Sequence, residues 1–147
     1  MNKFIKLKNR IKKHEGFRNK VYCDQLGNPT IGYGHLIKKS ENFLLKKKYL
    51  KKYLNNFFEK DFILAMINFN KHYKKTKLSK KLKEVLIEMI FQLGIKKFLK
   101  FKKFNKFIKQ NLLHLSALEM MDSLWYLQTP NRVEALIKIL LGTSNDK

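Results

Sequence analysis

Residues 14–35 read HEGFRNKVYCDQLGNPTIGYGH, and the chain changes character inside this stretch. Upstream of it, Phe4, Leu7, Ile11 and His14 recur at three- and four-residue steps with Lys and Arg between them. That period predicts a helix over residues 3–15 with one apolar face. Gly16 is placed to end it as a C-terminal cap. Downstream, Val21-Tyr22-Cys23 reads as a strand, Gly27-Asn28-Pro29 as a turn, and Thr30-Ile31-Gly32-Tyr33-Gly34 as a second strand or a glycine-rich bend.

After about residue 42 the pattern is helical. Leu50, Leu54, Phe58, Asp61 and Ala65 form one stripe of a helix predicted over 43–69. Leu82, Val85, Leu86, Met89 and Leu93 mark a helix over 79–93, with Gly94 as its cap. Phe98, Phe101, Phe104 and Ile108 mark one over 97–109, and residues 113–126 another. Thr129-Pro130 opens the last helix, Thr129 as N-cap and Pro130 at the first helical position. The predicted class is α+β: a helix and a small β-hairpin, then a helical body.

Apolar residues make up 44% of the 147, enough for a core in one compact unit or two small lobes. The formal charge is +22, from 33 Lys plus Arg against 11 Asp plus Glu. Such a surface attracts polyanions: nucleic acid, anionic lipid or the anionic bacterial envelope. The bases are mostly Lys and are scattered, which suits diffuse attraction rather than bidentate reading of bases. A Lys-, Asn-, Phe- and Ile-rich composition is also what an AT-rich genome produces, so the excess has a second origin. Cys23 is the one cysteine, so no intrachain disulfide can form. It reads as a small buried side chain, with no base to make it a nucleophile. The N-terminal residues hold no continuous apolar run of a secretory signal, and no segment reaches the roughly 18–20 apolar residues of a membrane span. A cytoplasmic location before release is the expectation.

Eleven acids are few enough to inspect singly. The first 40 residues contain Glu15 and Asp24 among ten Lys and Arg. Glu15 falls in the last turn of its helix, where the helix dipole disfavours a negative charge. A carboxyl group whose neutral form is favoured can serve as a general acid, and a second carboxylate nearby suits glycoside hydrolysis. Two carboxylates alone do not separate this reading from a solvated helix end and a turn-forming Asp.

The spacing of polar residues goes further. Glu15, eight residues, Asp24, five residues, Thr30, then Ile31-Gly32-Tyr33-Gly34-His35 resembles the active-site region of the phage-type lysozymes, glycoside hydrolase family 24. Phe91-Gln92-Leu93-Gly94 and Trp125-Tyr126-Leu127-Gln128-Thr129-Pro130-Asn131-Arg132 resemble two further stretches of that family. The resemblance implies a lysozyme-like fold. It has a small N-terminal lobe with the hairpin (residues 16–45), a connecting helix near 46–69, a helical lobe (1–15 plus 65–147), and a substrate cleft between lobes. It implies a muramidase that cleaves the β-1,4 bond between N-acetylmuramic acid and N-acetylglucosamine of bacterial peptidoglycan, causing lysis. Glu15 would be the proton donor, Asp24 the carboxylate that positions water or steadies oxocarbenium-like charge, and Thr30 the holder of that water. Leu36 and Phe91 match saccharide-contacting positions. No cofactor and no metal are expected, and the protein is expected to act as a monomer on peptidoglycan, drawn to anionic envelope polymers and to no specific nucleic acid.

Two pairings follow. Arg132 lies in the first turn of the last helix, the wrong end for a cation, as Glu15 lies at the wrong end for an anion. Misfits of this kind mark functional sites, and the two are expected to meet across the lobes. Asp61 lies on an apolar stripe, where an unpaired carboxylate is costly, and His35 is the expected structural partner. The segment between His35 and Asp61 is shorter than in longer family members. Phe104 and Glu119 stand where the family has a Ser and an Asn. The competing classes are a nucleic-acid-binding protein, supported by charge alone, and a membrane-active cationic helix protein, suggested by Lys, Phe and Ile over residues 96–109.

Overall fold

Gly16 ends α1 (Ile5–Glu15) as predicted: its φ is 70° and its N–H donates to the Lys12 carbonyl. The computed structural model describes residues 3–142; residues 1–2 and 143–147, which the expected lobes include, lie outside the described residues. The chain divides into two units, Met1–Leu64 and Ala65–Lys147. The α+β class is the one observed.

In the first unit, α1 is followed by β1 (Arg18–Cys23), β2 (Pro29–Gly32) and β3 (His35–Leu36), an antiparallel sheet of order β1-β2-β3. The predicted hairpin is therefore extended by a third short strand. Tyr22 pairs with Thr30, and Thr30 with Leu36, so Thr30 sits in the central strand. The β1–β2 turn is built by Asp24. Its Oδ1 accepts from the Leu26 and Asn28 N–H groups at 2.9 and 2.8 Å. Gly27, with φ 81°, closes the turn by donating to the Asp24 carbonyl. Cys23 is exposed, not buried as its size suggests: at the end of β1 it faces solvent.

Residues 1–15 belong to this first unit, whereas the expected division groups them with the helical body. The reason is visible along the first half of α2 (Lys51–Tyr73). Phe4 packs on Phe62, the Lys8 ammonium meets Glu59 at 2.5 Å, and Lys12 donates to Asn55 at 2.6 Å. Leu7 and Ile11 are fully buried. Each such side chain stabilises the fold by about 1.5–3 kcal/mol relative to exposure.

The helix predicted over 43–69 starts late and runs on to Tyr73. Leu50, expected on its buried stripe, is exposed. Aromatic packing wins over helical continuation here. Phe43 turns back onto Tyr49 and Phe57, with ring centroids 5.1 and 5.2 Å apart, and Lys46 takes a left-handed φ of 66° to allow it.

In the second unit, α3 (Lys80–Leu93) is capped by Ser79, whose hydroxyl accepts from the Leu82 N–H, and ends at Gly94 with φ 76°. It buries Leu82, Val85, Leu86 and Met89 as predicted. The helix predicted over 97–109 is broken into α4 (Ile95–Lys100) and α5 (Lys102–Lys109) at Phe101, whose ψ of 62° leaves the helical region. The carboxamide of Asn105 compensates, donating to the Phe98 and Phe101 carbonyls at 3.1 and 2.8 Å. The buried Tyr73 hydroxyl in turn donates to Asn105 Oδ1. Phe98, Phe104 and Ile108 are core.

The helix predicted over 113–126 is likewise two, α6 (Leu113–Met121) and α7 (Leu124–Gln128). Ser123 joins them: its hydroxyl donates to the Met120 carbonyl and accepts from the Tyr126 N–H. Pro130 opens α8 (Pro130–Gly142) as expected. The Thr129 hydroxyl, expected to cap α8, turns back to the Trp125 carbonyl at 3.2 Å.

Candidate active site

Glu15 is the last residue of α1, and the chain that follows folds back toward it. The residue opposite its carboxylate is Gly34, at φ 74°. A Cβ on Gly34 would lie 2.5 Å from Glu15 Oε2 and 3.1 Å from its Cδ. The positive φ favours glycine, and any larger residue here would have to push the Glu15 carboxylate aside. Gly32, at φ 66°, allows a similar approach to Leu54 of α2. Between them Tyr33 is buried against Phe17 and Phe58. Lys12 reinforces this bend, its ammonium 5.1 Å from the Tyr33 ring and 4.7 Å from Phe58. Burial holds the Lys12 pKa below the usual lysine value.

Asp24 is held rigidly by its own turn. Beside the two backbone donors on Oδ1, the Asn28 carboxamide donates to Oδ2 at 3.1 Å. Three N–H donors aimed at one carboxyl group suit its ionised form. Thr30 is buried, and its hydroxyl donates to the Asn28 carbonyl at 2.9 Å. The proton of that hydroxyl is thereby committed, and its lone pairs are left to accept.

Tyr22 relates these residues to one another. Burial raises the pKa of its phenol, the charge of Glu15 raises it further, Arg18 opposes, and Asp24 adds to the rise. The phenol thus lies in the fields of both acids, while its backbone pairs with Thr30. The Arg18 guanidinium stacks 4.4 Å from the Tyr22 ring. Sequence reasoning did not single out Tyr22. Its signal is its place two residues before Asp24, on the strand that pairs with the one carrying Thr30.

The structure brings His35 and Asp61 together: His35 Nδ1 is 2.8 Å from Asp61 Oδ2. It adds a partner not foreseen, Glu41, whose Oε2 is 2.9 Å from His35 Nε2. Burial works against a charge on the imidazole, but hydrogen bonds and charges from both carboxylates outweigh it, and the His35 pKa is raised. This bridge ties β3 to α2 and to the loop after β3. Leu36 is exposed beside it on β3. Phe91, half-buried, lies on α3 in the second unit.

Arg132 is buried in α8, its Nε 3.5 Å from Oε1 of the fully buried Glu88 on α3. Glu88 was missed, although it stands as the one acid in the apolar run Val85-Leu86-Ile87-Glu88-Met89-Ile90. The pairing expected between Arg132 and Glu15 concerns residues of different units. Among the described residues no group of three or more His, Cys, Asp or Glu side chains is placed to hold a metal ion.

A carboxylate at the end of the first helix, lodged against a glycine bend, followed by a small antiparallel sheet and a helical body, is a lysozyme-like arrangement. The comparisons with known proteins agree. The family model described as phage lysozyme matches residues 12–138, and the chain belongs to that family, whose general activity is hydrolysis of peptidoglycan. It is 30% identical to probable T4-type lysozyme 2 of Dictyostelium discoideum, over 90% of this chain and 92% of that protein. It is also 30% identical to probable T4-type lysozyme 1 of the same organism, over 95% and 96%. The pre-baseplate central spike protein Gp5 of Enterobacteria phage T4 is 28% identical over 89% of this chain and 27% of its own length.

Proposed function

We propose that the protein is a muramidase that hydrolyses the β-1,4 bond between N-acetylmuramic acid and N-acetylglucosamine, with Glu15 as general acid. The observation that carries this reading is the lodging of Glu15 against Gly34, with Asp24 fixed by its turn and Thr30 in the strand beside it. Glu15 would protonate the glycosidic oxygen as the bond to it breaks. Asp24, fixed by its turn, would orient a water or stabilise positive charge on the sugar ring. The Thr30 hydroxyl, its proton given to Asn28, would accept a hydrogen bond from that water and so aim its oxygen at the anomeric carbon. Leu36 and Phe91 would contact saccharide through their apolar surfaces, and Arg132 would support the site. The +22 charge would hold the enzyme, as a monomer, near the anionic polymers of the bacterial envelope.

The test is hydrolysis of purified peptidoglycan with analysis of the released ends. New N-acetylmuramic acid reducing ends are expected, and Glu15→Gln should abolish them with the circular dichroism spectrum unchanged. Hydrolysis that survives Glu15→Gln would remove Glu15 from the chemistry. The anomer first released distinguishes inversion from retention.

A further inference from the structure

Residues 44–53, LLKKKYLKKY, take no part in the site described above; over 44–50 the predicted helix fails to form, and Lys51–Tyr53 open α2. Five of the ten are Lys and none is acidic. All five lysines are exposed. Leu50 and Leu45, at 78% and 77%, are the most exposed large apolar side chains among the described residues, and Leu44 beside them is 63% exposed.

The backbone beneath them is built, not slack. The Leu44 N–H donates to the Tyr49 hydroxyl at 2.8 Å, and the Tyr49 N–H donates to the Asn19 carbonyl at 2.9 Å. Phe43 anchors the segment on Tyr49 and Phe57, and the left-handed Lys46 makes the turn. The chain spends its aromatic side chains on this platform while leaving leucines in water.

We propose that this loop docks the protein onto an anionic lipid bilayer, with Leu45 and Leu50 entering the interface and Lys46, Lys47 and Lys48 against headgroup phosphates. A hydrophilic polyanion would use the lysines and leave the leucines exposed. A lipid surface satisfies both, because apolar burial and attraction to anionic headgroups act together there. The other exposed leucine-rich stretch, around Leu124 and Leu127, has no Lys or Arg between Lys109 and Arg132 and lacks this match. The inference is independent of the reading of Glu15.

The experiment is co-sedimentation of the full chain with phosphatidylcholine vesicles, with and without phosphatidylglycerol. Binding is expected to the anionic vesicles and not to phosphatidylcholine alone. The pair Leu45→Asn and Leu50→Asn, with every lysine intact, should weaken it about ten-fold or more. Replacing Lys46, Lys47 and Lys48 by Gln should weaken it to a similar degree and flatten its salt dependence. Hydrolysis of isolated peptidoglycan and the melting temperature should be unchanged in the leucine pair, which keeps every charge and so separates docking from catalysis and from folding. Anionic-vesicle binding that ignores the leucine pair would overturn the proposal, reducing it to the diffuse attraction any polyanion feels. So would equal binding to uncharged vesicles, or leucine-dependent self-association without vesicle binding.

Discussion

Gly34 and Glu15 lie so close that one methyl group cannot fit between them: a Cβ on Gly34 would meet Glu15 Oε2 at 2.5 Å. Gly34→Ala therefore combines backbone strain at φ 74° with displacement of the carboxylate. The strain alone costs about 1–2 kcal/mol. A shift of the acid by about 1 Å costs on the order of 100-fold in turnover. Gly94→Ala is the control: φ is 76°, with nothing within 4 Å of the added Cβ. Both variants should lose a similar few degrees in melting temperature, and Gly34→Ala alone should lose activity. Equal activities would separate the glycine bend from the chemistry.

The bridge of His35 to Asp61 and Glu41 makes stability depend on pH in a definite direction. The His35 pKa is raised on folding, so its contribution is complete below about 6.5, the ordinary value, and is lost as pH rises through the folded value. Burial pushes the Glu41 pKa up, but the Lys38 N–H and His35 outweigh it and the net shift is downward. Its contribution is present above about 4.5 and is lost as pH falls through the folded value. Unfolding by urea should thus show stability falling from pH 6 toward pH 9. His35→Asn should cost about 2–3 kcal/mol at pH 6 and much less at pH 9. A pH slope unchanged by His35→Asn would show that the bridge is not its source.

Local signals were legible where one residue suffices to decide the backbone. Gly16 and Gly94 end helices where expected, Pro130 begins one, and Asp24 makes the turn its neighbours suggest. The His35–Asp61 pair was legible because a carboxylate on an apolar stripe demands a partner. What could not be read depends on contacts distant in sequence. Helical spacing continues through Leu50 and through Phe101. The backbone is not helical at those points because Phe43 finds Tyr49 and Phe57, and because the Asn105 side chain braces the Phe98 and Phe101 carbonyls across the break. Of the candidate site, Glu15, Asp24 and Thr30 came from spacing. Tyr22 and Glu41 emerge from strand pairing and the loop after β3, whereas Glu88 carries a local signal, a lone acid in an apolar run.

Asn105 should be the most sensitive residue of the α4–α5 junction. It accepts from Tyr73 and donates to the Phe98 and Phe101 carbonyls on either side of the helix break. Asn105→Ala removes all three interactions and should cost about 2–3 kcal/mol. Tyr73→Phe removes one and should cost about 1 kcal/mol. Urea midpoints of the two variants and their double should show non-additivity, since the Tyr73 bond is already gone in Asn105→Ala. Strict additivity would mean that the two side chains act separately.

Arg132 and Glu88 set a final test, because it separates a structural duty of Arg132 from any service to catalysis. Arg132→Met deprives a fully buried carboxylate of the cation beside it and should cost about 3–5 kcal/mol. Adding Glu88→Leu removes that carboxylate, and apolar replacement of both members of a buried pair is often close to neutral. The double variant should therefore recover most of the stability lost in the single one. Its activity then decides the role of the arginine. Hydrolysis that stays low in the stable double variant would show that Arg132 acts on more than Glu88. Hydrolysis restored together with stability would confine Arg132 to holding α8 against α3.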